Sequence, residues 1–180
     1  MIILKSTWIA AAFSLIMSGM IYAGSAAVLS PSPIDRFAGH YILVKDQSED
    51  VGQAIRRATE GMNFLLRTVA RRQLRQKAVS YPSFAMERSG ESFSTSLAGE
   101  PALSLPLSGT AVLWNAPDGE TVRVHLQPGP ELVQVFEAKQ GRRENHFALS
   151  SNRQVLTMNI KLTSSQLPKP VEYRLVYQRL

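Results

Sequence analysis

The side chains of this chain that could do chemistry are few and scattered. The three histidines, His40, His125 and His146, form no H-x-H or H-x-x-x-H pair, the spacings that bring two imidazoles to one metal. No metal site is expected. The absence of cysteine removes thiol nucleophiles, thiolate metal sites and disulfides together. Gly90-Glu91-Ser92-Phe93-Ser94 approaches the G-x-S-x-G nucleophile elbow. It lacks the second glycine and falls in a strand hairpin rather than a strand-to-helix turn. No glycine-rich phosphate loop is present, and no carboxylate pair has a recognisable catalytic context. An enzyme is not expected, and no cofactor is implied.

What remains is chemistry for binding. Arg143 alternates with Asn145, Phe147 and Leu149, so these four share one face of a strand. Turned inward, Arg143 would clamp an anionic head group, because guanidinium matches carboxylate and phosphate. The alternative is a solvated place at the hairpin after Gly141, since unpaired arginines are rarely buried. Trp114, Leu126, Phe136, Phe147, Met158 and Ile160 are candidates to line an apolar interior, with Tyr173 and Tyr177 on one face of the last strand. For Trp114 a place in a filled core is the safer reading.

A second group is basic. Between Ser48 and Lys77 stand Arg56, Arg57, Arg67, Arg71, Arg72, Arg75 and Lys77, against only Glu49, Asp50 and Glu60. Arg67, Arg71, Arg72, Arg75 and Lys77 would form a surface for an anionic membrane or an envelope protein. The competing reading is complementation of the helix dipole, acidic at the start and basic at the end. The net charge of +6 favours anionic partners in general. Nucleic acid is not expected, because no aromatic residues interleave with the cluster to stack bases.

These residues need elements to hold them. Thr7 to Val28 carry no charge, follow Lys5, and turn small at Ala23-Gly24-Ser25-Ala26-Ala27, the pattern of a secretory signal peptide. The expected division is a signal over 1–26, a linker over 27–33 and one domain over 34–180, in a periplasmic or secreted protein. An uncleaved membrane anchor is the competing reading. The first strand is expected over Phe37–Lys45. Asp46 or Ser48, with Glu49, then caps a helix. Its apolar stripe is Val51, Ile55, Ala58, Met62, Leu65, Leu66 and Val69. Gly61 predicts a kink or a helix-turn-helix within it. After Tyr81-Pro82, turn residues recur at even spacing, as at Ser89-Gly90, Ser108-Gly109 and Gln140-Gly141. Between them apolar residues alternate, most clearly Leu156, Met158, Ile160 and Leu162. About ten strands in an antiparallel up-and-down barrel are expected.

One strand, a helical segment and a long meander resemble the fatty-acid-binding-protein-like branch of the lipocalin and calycin superfamily. Phe37-Ala38-Gly39-His40-Tyr41 is similar to the Phe-x-Gly-x-Trp segment that opens such barrels, with tyrosine in place of tryptophan. Val171 to Arg179 resembles their last strand. The resemblance implies that Arg174 or Arg179 packs over Tyr41 and closes one end. It also implies a carboxylate held by an Arg-x-Tyr pair on the last strand. Here Arg174 and Tyr177 are three apart and face opposite ways, and an exported chain departs from that cytosolic branch. The expected function is an exported binder of an apolar or lipid-like ligand. The alternative is an envelope interaction protein with a filled barrel, contacting a protein partner or an anionic membrane through its basic helix.

Overall fold

The computed structural model describes residues 33–97, 102–116, 119–127, 129 and 131–180. The expected signal and nearly all of the linker lie outside these residues. A 3-10 turn, Pro33–Phe37, leads into β1 (Gly39–Leu43), a second 3-10 turn at Lys45–Gln47, α1 (Val51–Ala58) and α2 (Phe64–Lys77). The strands that follow are β2 (Ser83–Ser89), β3 (Ser92–Leu97), β4 (Leu103–Pro106), β5 (Val112–Asn115) and β6 (Thr121–Gln127). The chain ends with β7 (Leu132–Ala138), β8 (Gly141–Leu149), β9 (Val155–Thr163) and β10 (Val171–Arg179).

All ten strands form one antiparallel sheet in the order β4-β3-β2-β1-β10-β9-β8-β7-β6-β5. First and last strands meet, with Tyr41 opposite Arg179 and Leu43 opposite Tyr177. β4 and β5 are left as the two ends of the sheet. The result is a nearly closed up-and-down barrel with its seam between β4 and β5, as the alternation predicts.

Period-two alternation decides what the barrel contains. The inward residues Val122, Val124 and Leu126 on β6, and Leu156, Met158, Ile160 and Leu162 on β9, are all buried. Val133 and Val135, on the opposite face of β7, are also buried. The end of the barrel away from the helices is solid, filled by Phe37, Tyr41, Met86, Phe93, Leu105 and Val124. Tyr41 stacks on Phe84 at 5.2 Å, and Phe84 meets Tyr177 edge-on at 4.7 Å.

Arg179 closes that end. It lies 5.4 Å from the Tyr41 ring and donates to the Tyr41 hydroxyl and to the carbonyls of Arg36, Ala38 and Arg153 at 2.6–3.1 Å. A methyl group on Gly39 would sit 2.8 Å from Arg179 Nε, so glycine is what lets the guanidinium approach the backbone. Arg174, the other candidate for this contact, is exposed on the outer face of β10.

The helical segment differs from its expectation in two respects. Asp46 falls in the 3-10 turn, and the true N-cap of α1 is Asp50, whose side chain accepts from the Gln53 amide at 2.7 Å. The apolar stripe also does not continue as one buried face. Ala54, Ile55 and Ala58 are buried beneath α1, but Leu65, Leu66 and Val69 are 72%, 63% and 56% exposed. The reason lies at Gly61, whose φ of 83° ends the first helix in a conformation that favours glycine. Asn63 then caps a new helix by accepting from the Leu65 amide, and the periodicity restarts in a different phase. Arg71 Nε donates to Thr59 Oγ1 at 2.9 Å and Arg67 Nη2 donates to the Met62 carbonyl at 2.7 Å, pinning the joint. No residue of α2 is buried.

Candidate ligand-binding site

Below α2 the barrel is hollow. A cavity of about 1280 Å³ occupies the helix-capped end, somewhat larger than the ~300–1000 Å³ of ordinary small-molecule pockets. Leu66, Val69 and Leu74 of α2 form its roof, and Trp114, Val122, Phe136, Phe147 and Met158 stand in its walls. Trp114 packs edge-on against Phe136 at 6.0 Å.

Three cations border this largely apolar space: Lys77, which pairs with Glu120, Arg142, which pairs with Glu137 and Glu144, and Arg143. Arg143 reaches the cavity from β8, half-buried. Its Nε donates to Asn145 Oδ1 at 2.8 Å, and its Nη1 donates to the Lys77 carbonyl at 3.1 Å. Its guanidinium carbon stands 5.9 Å from the Phe136 ring and 6.0 Å from the Tyr81 ring. Among the described residues no carboxylate pairs with it. Asn145 passes the interaction on, its Nδ2 donating to Gln134 Oε1 at 3.2 Å, and both amides are buried. Arg143 Nη2 and the Tyr177 hydroxyl are buried, and neither makes a hydrogen bond of ordinary geometry. Buried polar groups left this way cost free energy that a suitable partner would recover.

The charge is felt by the tyrosines of β10. Burial pushes the Tyr173 hydroxyl above its ordinary pKa, and Arg143 partly offsets this. Burial raises Tyr177 strongly, partly offset by the Tyr81 backbone and then by Arg143. Both phenols are neutral near neutral pH. Tyr173 donates to the Val79 carbonyl at 3.3 Å. The last strand carries no Arg-x-Tyr pair, but an arginine from β8 lies near two tyrosines of β10.

The candidate lining residues therefore divide. Trp114, Phe136, Arg143, Phe147 and Met158 border the cavity. Leu126, Ile160, Tyr173 and Tyr177 are buried in the surrounding core and are not in its wall. The basic residues of α2 divide as well. Arg67 and Arg71 turn back into the joint with α1, and Arg72 and Arg75 are exposed. Lys77 pairs with Glu120, joining the end of α2 to the start of β6. Gln134 and the roof residues Leu66, Val69 and Leu74 were missed as lining. Gln134 was legible in principle, since it shares its face with Leu132 and Phe136. Among the described residues no cluster of potential metal ligands occurs, and no helix is long and apolar enough to cross a membrane.

A hollow ten-stranded barrel, closed between first and last strands and capped by two helices, is the fold of the fatty-acid-binding proteins and related calycin-like barrels. No protein-family model and no curated protein matches the chain. Among solved structures it is similar to the fatty acid transporter REP1-NXSQ, at 17% identity and TM-score 0.51, over 79% of this chain and 95% of that one. It is also similar to fatty-acid-binding protein 1 of Echinococcus granulosus, at 15% identity and TM-score 0.54, over 81% and 98%. A secretory abundant heat soluble protein of Ramazzottius varieornatus aligns at 10% identity and TM-score 0.56, over 81% and 96%. At such identities the likeness concerns the fold.

Proposed function

We propose that this protein is an exported, non-enzymatic carrier that holds an anionic, lipid-like amphiphile in its barrel, with Arg143 as the countercharge. The observation that carries this reading is a cation without a carboxylate partner at the edge of a largely apolar cavity of about 1280 Å³. An anionic head would supply the missing partner through charge-assisted hydrogen bonds, while the cavity removes the apolar body from water. The fatty acid transporter and the fatty-acid-binding protein with the same fold lend support. Titration with an anilinonaphthalene sulfonate dye, followed by displacement with oleate, tests it. Saturable uptake reversed by oleate, and weakened in Arg143→Gln, is the expected result. Absence of uptake would overturn the reading.

The exposed face of α2 favours a second role for the same molecule. Phe64 and Leu65 are large, apolar and exposed without lining the cavity, and Arg72 and Arg75 are exposed on the same helix. Apolar residues beside basic ones suit the interface of an anionic membrane. A carrier that touches a membrane through the roof of its cavity gains a short route for loading. Sedimentation with phosphatidylglycerol vesicles tests this role. Arg72→Glu with Arg75→Glu is expected to weaken binding more than tenfold, at ~1 kcal/mol per basic residue removed and as much again for each reversal. Equal binding by variant and parent would contradict it, as would equal binding to neutral vesicles. An envelope protein contacting this helix is the alternative partner.

A further inference from the structure

We infer that the ligand is an anionic lipid with two hydrocarbon chains rather than one. This rests on the carrier reading and specifies its cargo. Volume favours two chains. A methylene group occupies about as much room as a water molecule, ~30 Å³, so one sixteen-carbon chain fills roughly 500 Å³ and two fill roughly 1000 Å³. The cavity measures about 1280 Å³. One chain would leave more than half of it unfilled, whereas two chains and a small head fill it.

The placement of the polar group favours them as well. Gln134 on β7 and Arg143 and Asn145 on β8 form one hydrogen-bonded row. The strand order puts apolar wall on both sides of that row. On one side, beyond β6, lie Trp114 and, across the seam, Leu103; on the other, β9 and its following loop supply Leu162 and Leu167. The far end of the barrel is solid, so a long single chain cannot run down the axis. A head at Arg143 with one chain to each side matches this wall. Arg143 borders the cavity without a carboxylate partner, and the Glu120 carboxylate in the same wall is engaged by Lys77. That arrangement suits a head carrying a single phosphate.

Native mass spectrometry of the delipidated full-length protein with two probes tests the inference. The probes are dipalmitoyl phosphatidate and palmitate. The expected result is one phosphatidate per chain, displacing two palmitates. Leu103→Trp, and separately Leu167→Trp, each fill one side. Each is expected to weaken phosphatidate at least ~10-fold, the cost of overpacking by more than 1.4 kcal/mol, while one palmitate still binds. Two variants on opposite sides keep the test usable if one fails to fold. One palmitate at saturation with no phosphatidate bound would overturn the two-chain cargo and leave the carrier reading standing. Failure to bind either probe would overturn both.

Discussion

The Nη1 of Arg143 donates a hydrogen bond to the main-chain carbonyl of Lys77, 66 residues earlier in the chain, at 3.1 Å. The candidate head-group site is thereby joined to the last turn of the helix that roofs it. The same guanidinium donates to Asn145 at 2.8 Å. It therefore stands between a fixed polar row in the barrel wall and a helix with no buried residue of its own. An anion reaching the unpaired Nη2 shares the guanidinium with that helix carbonyl.

Replacing Arg143 with glutamine is expected to weaken binding of a carboxylate or phosphate amphiphile by ~1.5–3 kcal/mol, the worth of a hydrogen bond to a charged group. That is roughly a 10- to 150-fold rise in Kd. Binding of the corresponding uncharged alcohol should change little. Isothermal titration with oleate and oleyl alcohol checks both halves. Equal losses for the two ligands would mean that the substitution damaged the cavity rather than the charge.

The roof should be the least protected part of the free barrel. Leu65, Leu66 and Val69 are more than half exposed, and local stability follows buried apolar contact. Amides of 64–77 are expected to exchange faster than those of β8 to β10 in the free protein. They should slow on loading, when Leu66, Val69 and Leu74 gain an apolar body to pack against. Hydrogen exchange with and without oleate measures this, and protection of α2 equal to that of β9 in the free protein would contradict it.

Three buried phenols set the alkaline limit of stability. Tyr41, Tyr173 and Tyr177 all have their pKa raised by burial, each opposed in part by arginine. Below pH ~10 these phenols are neutral in both folded and unfolded chains, so their contribution is constant. Above pH ~10 the unfolded chain ionises first. The native state then binds more protons, and stability falls until the folded values are reached. Ultraviolet titration should show these tyrosines ionising together with unfolding. Ionisation of all tyrosines near pH 10 in a still-folded chain would show that burial does not hold them.

Arg179 is expected to matter for stability and not for binding. It donates to three carbonyls and to the Tyr41 hydroxyl at the solid end of the barrel, the end opposite the cavity. Arg179→Met should cost at least ~3 kcal/mol, since charge-assisted hydrogen bonds contribute ~1.5–3 kcal/mol each and do not add fully. Ligand affinity at a site with no shared partners should hold. Urea denaturation and dye titration separate the two effects.

Much of this architecture was legible because period-two alternation is a local signal. Leu156, Met158, Ile160 and Leu162 announce one face of β9, and even turn spacing announces the meander. Tyr41 with Arg179 was legible through the opening and closing segments together. The roof was not. Leu66 and Val69 read as core because an apolar stripe does not say whether it faces packed side chains or a void. The site was half legible for a related reason. Arg143 and Asn145 share a face by parity alone, and Gln134 meets Asn145 across the β7–β8 hairpin, but Lys77 and Tyr81 reach Arg143 only through long-range packing. The same parity puts Ile160 and Met158 on one face. It does not say that Met158 and Leu162 line the cavity while Ile160 between them does not.

The most direct measurement is native mass spectrometry of the protein isolated from its native source without delipidation. The account predicts a bound amphiphile carrying at least one negative charge in the wild-type protein, and its loss from Arg143→Gln expressed and isolated in the same way. An empty chain in both preparations, with no amphiphile taken up on addition, would contradict it.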